Sequence, residues 1–369
     1  ASRAQGGEGG KVMDFGLSDD QSLFQQSLRG FLAERVPTER VRSIMESPGG
    51  HDAALLAQLG EQGVTGILVP EEFGGTGLGL LDAALAAEEL GNAATPFSFH
   101  SAAVLAPLLL AASRGDARKR EWLPRIAEGK ALVSVILGAP SPRAGKLRGS
   151  VMFVPDAMSA DAFVVQCGSA EAPEFHLVSR TAAGLRVDPL ATVDDTRRVG
   201  EVFFDDVVVD AATHFDIPDG AAVLERAIDA ARVCLAADSL GASERSLHEA
   251  VKYALTREQF GRLIGSFQAV KHMCAEVFAE VEPVRSLLWY AAFAWDEKRA
   301  DAPAMAALLK SHATEVATEA TTTCVQVYGG MGFTWECDMQ LWFKRAGYNR
   351  QMFGTPTMLR ERAAALSAA

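Results

Sequence analysis

Two segments carry residues whose types and spacing suit chemistry. One is Tyr253-Ala254-Leu255-Thr256-Arg257-Glu258-Gln259-Phe260-Gly261, and the other is Gln326-Val327-Tyr328-Gly329-Gly330-Met331-Gly332-Phe333-Thr334. An arginine supplies a forked cationic donor, and glycines let a backbone come close to whatever packs against it. A third segment, Val69-Pro70-Glu71-Glu72-Phe73-Gly74-Gly75-Thr76-Gly77-Leu78-Gly79, has glycines that permit positive φ and close backbone approach. Each has a plainer reading. Arg257 could be a favourable cation at a helix C-terminus, Gln326 to Gly332 a glycine-rich helix end, and Gly74-Gly75 an ordinary loop.

The rest of the composition narrows the classes. The five cysteines, Cys167, Cys234, Cys274, Cys324 and Cys337, show no zinc or redox spacing, so no metal site is expected. Cys234, Cys274 and Cys324 lie in apolar helical contexts and read as small core residues, and a reduced, cytoplasmic setting fits them best. The formal net charge of −12 argues against nucleic acid as a partner, while leaving room for a local basic cluster that holds a small anion. No apolar run is long enough to span a bilayer, so no membrane is expected. Ala1 to Lys11 is small, polar and glycine-rich, without the basic and apolar regions of a secretory signal. Residues 1–16 read as a disordered lead or tag remnant.

These residues must be positioned by two kinds of element. Leu17 to Met45 reads as one helix, opened by a capping box of Ser18 and Gln21. Helices follow over Ala53–Gln62, Leu81–Leu90 with Gly91 as its stop, Ser98–Ala112 and Ala117–Glu128. From Ala131 the pattern changes to short Val- and Phe-rich strands: Ala131–Leu137, Val151–Val154, Ala162–Gln166, Phe175–Val178, Gly184–Val187 and Val199–Phe204. Helices return over Leu224–Thr256, Phe267–Lys298, Pro303–Tyr328, Met339–Arg345 and Thr355–Ala365. The fold class is α+β, mostly α. A helical domain over 17–130 precedes a small β domain over 131–220 and a C-terminal four-helix bundle over 221–369.

Over nearly its whole length the chain resembles the acyl-CoA dehydrogenase family. The resemblance rests on Gly63 to Gly75, Glu88-Glu89-Leu90-Gly91, Tyr253 to Gly261, Ile264-Gly265-Ser266-Phe267-Gln268-Ala269-Val270-Lys271-His272 and Gln326 to Thr334, in order and at family spacing. It implies FAD, with Arg257, Phe260, Gln268, Gln326, Gly329 and Gly330 reaching the dinucleotide of a neighbouring subunit. It also implies an acyl-CoA substrate oxidised to the 2-enoyl-CoA, and electron transfer flavoprotein as a usual partner. A carboxylate takes the α proton while the β hydrogen leaves as hydride.

The base is the point of departure. Many members carry it in a Tyr-Glu-Gly-Thr motif, where this chain has Met352-Phe353-Gly354-Thr355; others carry it just before an arginine on the long helix, where this chain has Ala231-Arg232. Asp238 is the nearest remaining candidate. Seven residues beyond Ala231 displace it by about 10 Å along a helix, so a buried polar residue or interface contact is the favoured reading and the base the lesser one. The flavin-wrapping loop of the β domain is shortened, and the family's Trp-Ile-Thr-Asn becomes Phe153-Val154-Pro155-Asp156, in which Phe153 could still stack but Pro155 offers no N–H.

Lost bases with a retained neighbour-facing set resemble the non-catalytic-type subunit of heterotetrameric bacterial, steroid-type acyl-CoA dehydrogenases, as Asp194-Asp195-Thr196-Arg197-Arg198 does more weakly. The expected partner is a second subunit with an intact catalytic glutamate. The alternatives are a self-sufficient enzyme with a relocated base, and a family member kept as a scaffold.

Overall fold

The computed structural model describes residues 16–368. The expected disordered lead over 1–16 lies outside the described residues apart from Gly16. The α+β, mostly helical architecture is present in the expected order. Helices α1 (Asp19–Arg35), α2 (Thr38–Glu46), α3 (Ala53–Glu61), α4 (Leu80–Asn92), α5 (Ala106–Ala112) and α6 (Ala117–Ala127) come first. Strands β1 (Val133–Ala139), β2 (Lys146–Pro155), β3 (Ala162–Gly168), β4 (Pro173–Ser179), β5 (Leu185–Pro189), β6 (Val199–Val208) and β7 (His214–Phe215) follow. Then come α7 (Gly220–Ala254), a small hairpin of β8 (Glu258–Gln259) and β9 (Arg262–Leu263), α8 (Gln268–Asp296), α9 (Ala302–Tyr328), α10 (Met339–Gln351) and α11 (Pro356–Ser367).

Local sequence accounts for most boundaries. The Ser18 hydroxyl accepts from the Gln21 N–H and the Gln21 side chain accepts from the Ser18 N–H, closing the expected capping box on α1. The single helix expected over Leu17–Met45 is two, because Pro37 has no N–H to donate and restricts the conformation of Val36 before it. Gly91 is not a helix stop: α4 runs on to Asn92. Its absent side chain answers to packing instead. A Cβ on Gly91 would stand 2.1 Å from the carbonyl oxygen of Asp238, and one on Gly241 would stand 1.8 Å from that of Glu88. Helices α4 and α7 therefore cross backbone to backbone at this glycine pair.

The segment expected as one helix over Ser98–Ala112 opens with a π-helical turn over His100–Leu105. Such turns recur at functional sites. Here Ser101 Oγ accepts from the Val135 N–H at 3.2 Å, tying the turn to β1. The strands form two sheets, β1-β3-β4-β7 with β1 parallel to β3, and an antiparallel β2-β6-β5. Val202, Phe204 and Val207 of β6 are buried against Leu147 and Val154 of β2. The strand expected over Val151–Val154 thus begins earlier, at Lys146. In the last region α7 packs against α4, α8, α9 and α10, and α8 passes through Pro283 without a break.

Candidate functional site

The segments expected to reach a dinucleotide, around Arg257, Gln268 and Gln326 to Gly330, lie at one end of the bundle. Helix α7 ends at Ala254, and the β8–β9 hairpin follows at once. Arg257 leads into that hairpin: its N–H donates to the Tyr253 carbonyl and its own carbonyl accepts from the Ile264 N–H. Phe260 sits at the hairpin tip with φ +54° and 92 % exposure. Gln268 opens α8. Helix α9 ends at Tyr328, and Gly329 turns the chain with φ +64°.

A ring stack joins the two termini. Tyr253 and Tyr328 lie parallel with centroids 4.3 Å apart, and the Tyr328 hydroxyl donates to the Glu249 carbonyl at 3.2 Å. The hairpin and the Gly329-Gly330 turn are thereby held side by side. Arg257, Gln268, Gln326, Gly329 and Gly330 are all exposed. A Cβ added at Gly261, Gly329 or Gly330 would meet nothing within 4 Å, so this backbone is open to approach. Among the described residues, the Arg257 guanidinium has no carboxylate partner within ion-pair distance. An exposed cation, open glycine backbone and the rings of Phe260 and Phe333 suit an elongated anionic ligand with an aromatic part.

The two expected base positions lie elsewhere, and they lie together. Ala231 is fully buried on α7, in the cluster against which the half-buried Phe353 packs. Phe353 follows α10 with φ +52°, and its ring meets His100 edge-on at 5.7 Å. Two cations hold this loop by its backbone. Arg232 Nε donates to the Phe353 carbonyl at 3.1 Å, while Lys310 Nζ donates to the carbonyls of Arg350 and Gly354 at 2.9 and 2.5 Å. Burial, with Arg232 and Arg350 nearby, brings the Lys310 ammonium down to about 7. Burial, followed by the charge of Arg197, brings the His100 imidazole down to about 3, and its Nε2 makes no hydrogen bond among the described residues. Neither Phe353 nor Ala231 can take a proton.

Asp238 is committed to other work. Arg197 Nη2 and Arg345 Nη1 donate to its Oδ2 at 2.6 and 3.1 Å, and Asn349 Nδ2 donates to its Oδ1 at 2.7 Å. Arg345 also pairs with Asp194 at 3.1 Å, and Arg197 Nη1 reaches the Thr95 carbonyl at 2.6 Å. Burial alone would raise the Asp238 carboxyl, but Arg345 and Arg197 outweigh it and hold it below the usual carboxylate range. Such a group is a poor proton acceptor, so the geometry speaks against Asp238 as a relocated base and for the buried polar reading. The Asp194 to Arg198 run, a weak subgroup signal in the sequence, is one wall of this network. Arg345 and Asn349 are its other wall, and no sequence motif marked them.

Phe153 stands apart from the neighbour-facing set, on β2. The β2–β6 register slips between Val151 and Val154, which throws Phe153 out with φ +60° and 55 % exposure. Pro155 contributes only its carbonyl, which accepts from Ser134 Oγ at 2.5 Å. A flavin is therefore fitted unequally. The Arg257 end offers donors and open backbone, whereas the β2 side offers one exposed ring and no donor from residue 155.

Comparison with known proteins covers both helical regions. Residues 18–130 match the family described as acyl-CoA dehydrogenase, N-terminal domain, and residues 218–367 match acyl-CoA dehydrogenase, C-terminal domain. Acyl-CoA dehydrogenase IpdE2 of Mycobacterium tuberculosis is 31% identical over 339 residues, covering 92% of this chain and 94% of that protein. The ChsE4-ChsE5 complex from Mycobacterium tuberculosis superposes with a TM-score of 0.87 at 27% identity, over 96% of this chain and 99% of the other. A Tcur3481-Tcur3483 steroid acyl-CoA dehydrogenase variant superposes with a TM-score of 0.85 at 26% identity, over 95% and 98% of the two chains.

Proposed function

Because the chain belongs to the acyl-CoA dehydrogenase family of oxidoreductases acting on CH–CH bonds, we propose that it is the base-less subunit of an FAD-dependent heteromeric acyl-CoA dehydrogenase. In this reading it presents Arg257, Phe260, Gln268, Gln326, Gly329 and Gly330 to the dinucleotide of a partner subunit. The partner carries the glutamate. The observation that carries the proposal is the state of the groups at the two base positions and of the acidic groups around them. Phe353 and Ala231 stand at those positions, Asp229 is tied to Arg232, and Asp238 is held by two arginines and an asparagine. The likeness to the steroid acyl-CoA dehydrogenase supports a bulky, steroid-type acyl-CoA as substrate, and the likeness to the ChsE4-ChsE5 complex supports a two-subunit assembly.

FAD, when bound, supplies the two-electron acceptor, and electron transfer flavoprotein is the proposed onward carrier. The work of this chain is binding and orientation. The Arg257 guanidinium meets pyrophosphate charge with paired N–H donors. The N–H groups around Gly329 and Gly330 can approach phosphate oxygens because no side chain intervenes. Phe260 covers an apolar or aromatic surface of the ligand. The α proton of the thioester goes to the partner's carboxylate, since no group at position 353 or 231 of this chain accepts one.

The test is purification of the chain alone and together with a homologous dehydrogenase subunit that has an intact glutamate. Flavin absorbance and acyl-CoA-dependent dye reduction are expected only in the pair. A yellow, active homomer would overturn the proposal in favour of a self-sufficient enzyme; a colourless, inactive pair would favour a scaffold.

A further inference from the structure

The two backbone segments offered to a dinucleotide are each thinly supported by themselves. The β8–β9 hairpin is a two-stranded sheet of its own. The turn from Gly329 to Phe333 has one buried member, Gly332. Its Met331 borders a cavity of about 400 Å³ that Tyr328, Glu249, Lys252 and Trp342 also line, so part of the turn faces open space rather than core. The Tyr253–Tyr328 pair joins these segments. The rings lie 10° from parallel, and both residues are half-buried. Tyr253 is the penultimate residue of α7 and Tyr328 the last of α9. Each is tied to its own segment. The N–H groups of Thr256 and Arg257 donate to the Tyr253 carbonyl at 3.0 and 2.9 Å. A Cβ on Gly332 would stand 3.0 Å from the Cβ of Tyr328, so the turn folds back directly onto that residue.

We infer that Tyr328, through its stack on Tyr253, is a positioning residue that sets the spacing between Arg257 and the Gly329-Gly330 backbone, and so how tightly a dinucleotide is held. The inference rests on the dinucleotide reading of this surface and names what aligns it. An elongated anion met by donors on two segments is held best when both are in place beforehand, because freedom between them is lost on binding and subtracts from affinity. Two flat rings in contact restrict how the segments can shift, and aromatic pairs favour such geometry beyond the area they bury. The hydroxyl bond from Tyr328 to the Glu249 carbonyl fixes the direction of the ring in its plane. Burial pushes the Tyr328 phenol up, so it remains a donor at neutral pH.

The test uses the full chain co-purified with its partner subunit. Flavin retention is read from absorbance ratios after serial dilution, and native mass spectrometry and thermal unfolding report assembly and folding. Tyr328→Leu is expected to lower retention about tenfold in an assembly that still forms, whereas Tyr328→Phe keeps the ring and stays within about twofold of wild type. A merely structural role would lower the melting temperature and leave retention by the folded assembly unchanged. Tyr253→Leu is expected to reproduce the loss from the other ring, and Tyr253→Leu/Tyr328→Leu to lose no more than either change alone, since the two rings make one contact. Tyr253→Leu and Tyr253→Phe give the same comparison if Tyr328→Leu does not assemble. Unchanged retention in the leucine variants, a phenylalanine variant as weak as the leucine one, or losses that add would each overturn the inference. Arg257→Ala separates it from the reading beneath. If that variant loses flavin and the leucine variants do not, the dinucleotide surface stands and the positioning role falls; if none of them loses flavin, the surface reading itself fails.

Discussion

Arg232 donates from Nε to the carbonyl oxygen of Phe353 at 3.1 Å while its Nη1 holds Asp229 at 2.6 Å. Position 353 is thus fixed through its main chain, whichever side chain it carries. Phe353→Ala removes the edge contact with His100 and part of the packing over the Ala231 cluster. It is expected to cost about 1–3 kcal/mol by urea unfolding, less than a fully buried phenylalanine. Turnover of the co-expressed assembly is expected to stay within about twofold, in keeping with general-base effects being far larger. A tenfold loss in the folded assembly would place Phe353 in the reaction after all.

Among the described residues no carboxylate pairs with Arg257, and its side chain is exposed, so its removal is expected to leave the fold intact. Arg257→Ala is expected to lower flavin retention of the assembly by at least tenfold, roughly the value of a charge-assisted hydrogen bond. Arg257→Lys restores the charge without the fork and is expected to recover only part of the loss. Flavin-to-protein absorbance ratios after serial dilution would read both effects. Equal flavin retention in all three proteins would remove Arg257 from the cofactor surface.

Asp238→Asn leaves the buried Arg197 without its ion-pair carboxylate and the buried Arg345 with Asp194 alone. Breaking a buried pair by removing one partner typically costs about 3–5 kcal/mol, and thermal or urea unfolding should show a loss of that order. Turnover per folded assembly is expected to be unchanged. Retained stability with lost turnover is the opposite pattern, and it would make Asp238 the base.

His100 sets a pH dependence with a definite sign. Its imidazole is held near 3 in the fold, against about 6.5 in an unfolded chain. Between those values the unfolded chain binds a proton that the folded one refuses, so stability falls as pH drops from about 6.5 towards 3. Melting temperatures of wild type and His100→Gln, compared from pH 7 to pH 4, should converge on acidification if the wild type begins as the more stable. Parallel curves would exclude the effect.

Gly241→Ala would set a methyl 1.8 Å from the Glu88 carbonyl oxygen. Backbone cannot yield as a side chain can, so α4 and α7 must part. A loss of about 3 kcal/mol or more is expected, at the upper end for overpacking, and calorimetry of the single variant would measure it.

Periodicity and caps were enough to read the order of helices and strands, because each element's apolar spacing is a local property. Ser18 with Gln21 is an instance, legible from four residues. Structure departs from local sequence where a distant partner decides the outcome. Gly91 looks like a helix stop in isolation and is a crossing point only because Gly241 lies across from it. Lys146 to Ser150 breaks the alternation expected of a strand, with Arg148 and Gly149 interrupting it, yet pairs with β6 over much of its length.

The candidate site divides in the same way. The Arg257 and Gly329 segments carried their own signal, although nothing in either predicted the Tyr253–Tyr328 stack that seats them together. Asp238 was visible as an acidic residue but not as the centre of a charge network, since Arg197, Arg345 and Asn349 are 41, 107 and 111 residues away in sequence.

Helix α7 carries Ala231 in its first half and ends at the hairpin, and the turns between them span about 35 Å at the usual rise per residue. Substitutions around the reacting end leave the far terminus undisturbed. In the proposed heteromer, that distance separates the loss of a proton acceptor at one place on α7 from the face offered to a dinucleotide at its far end.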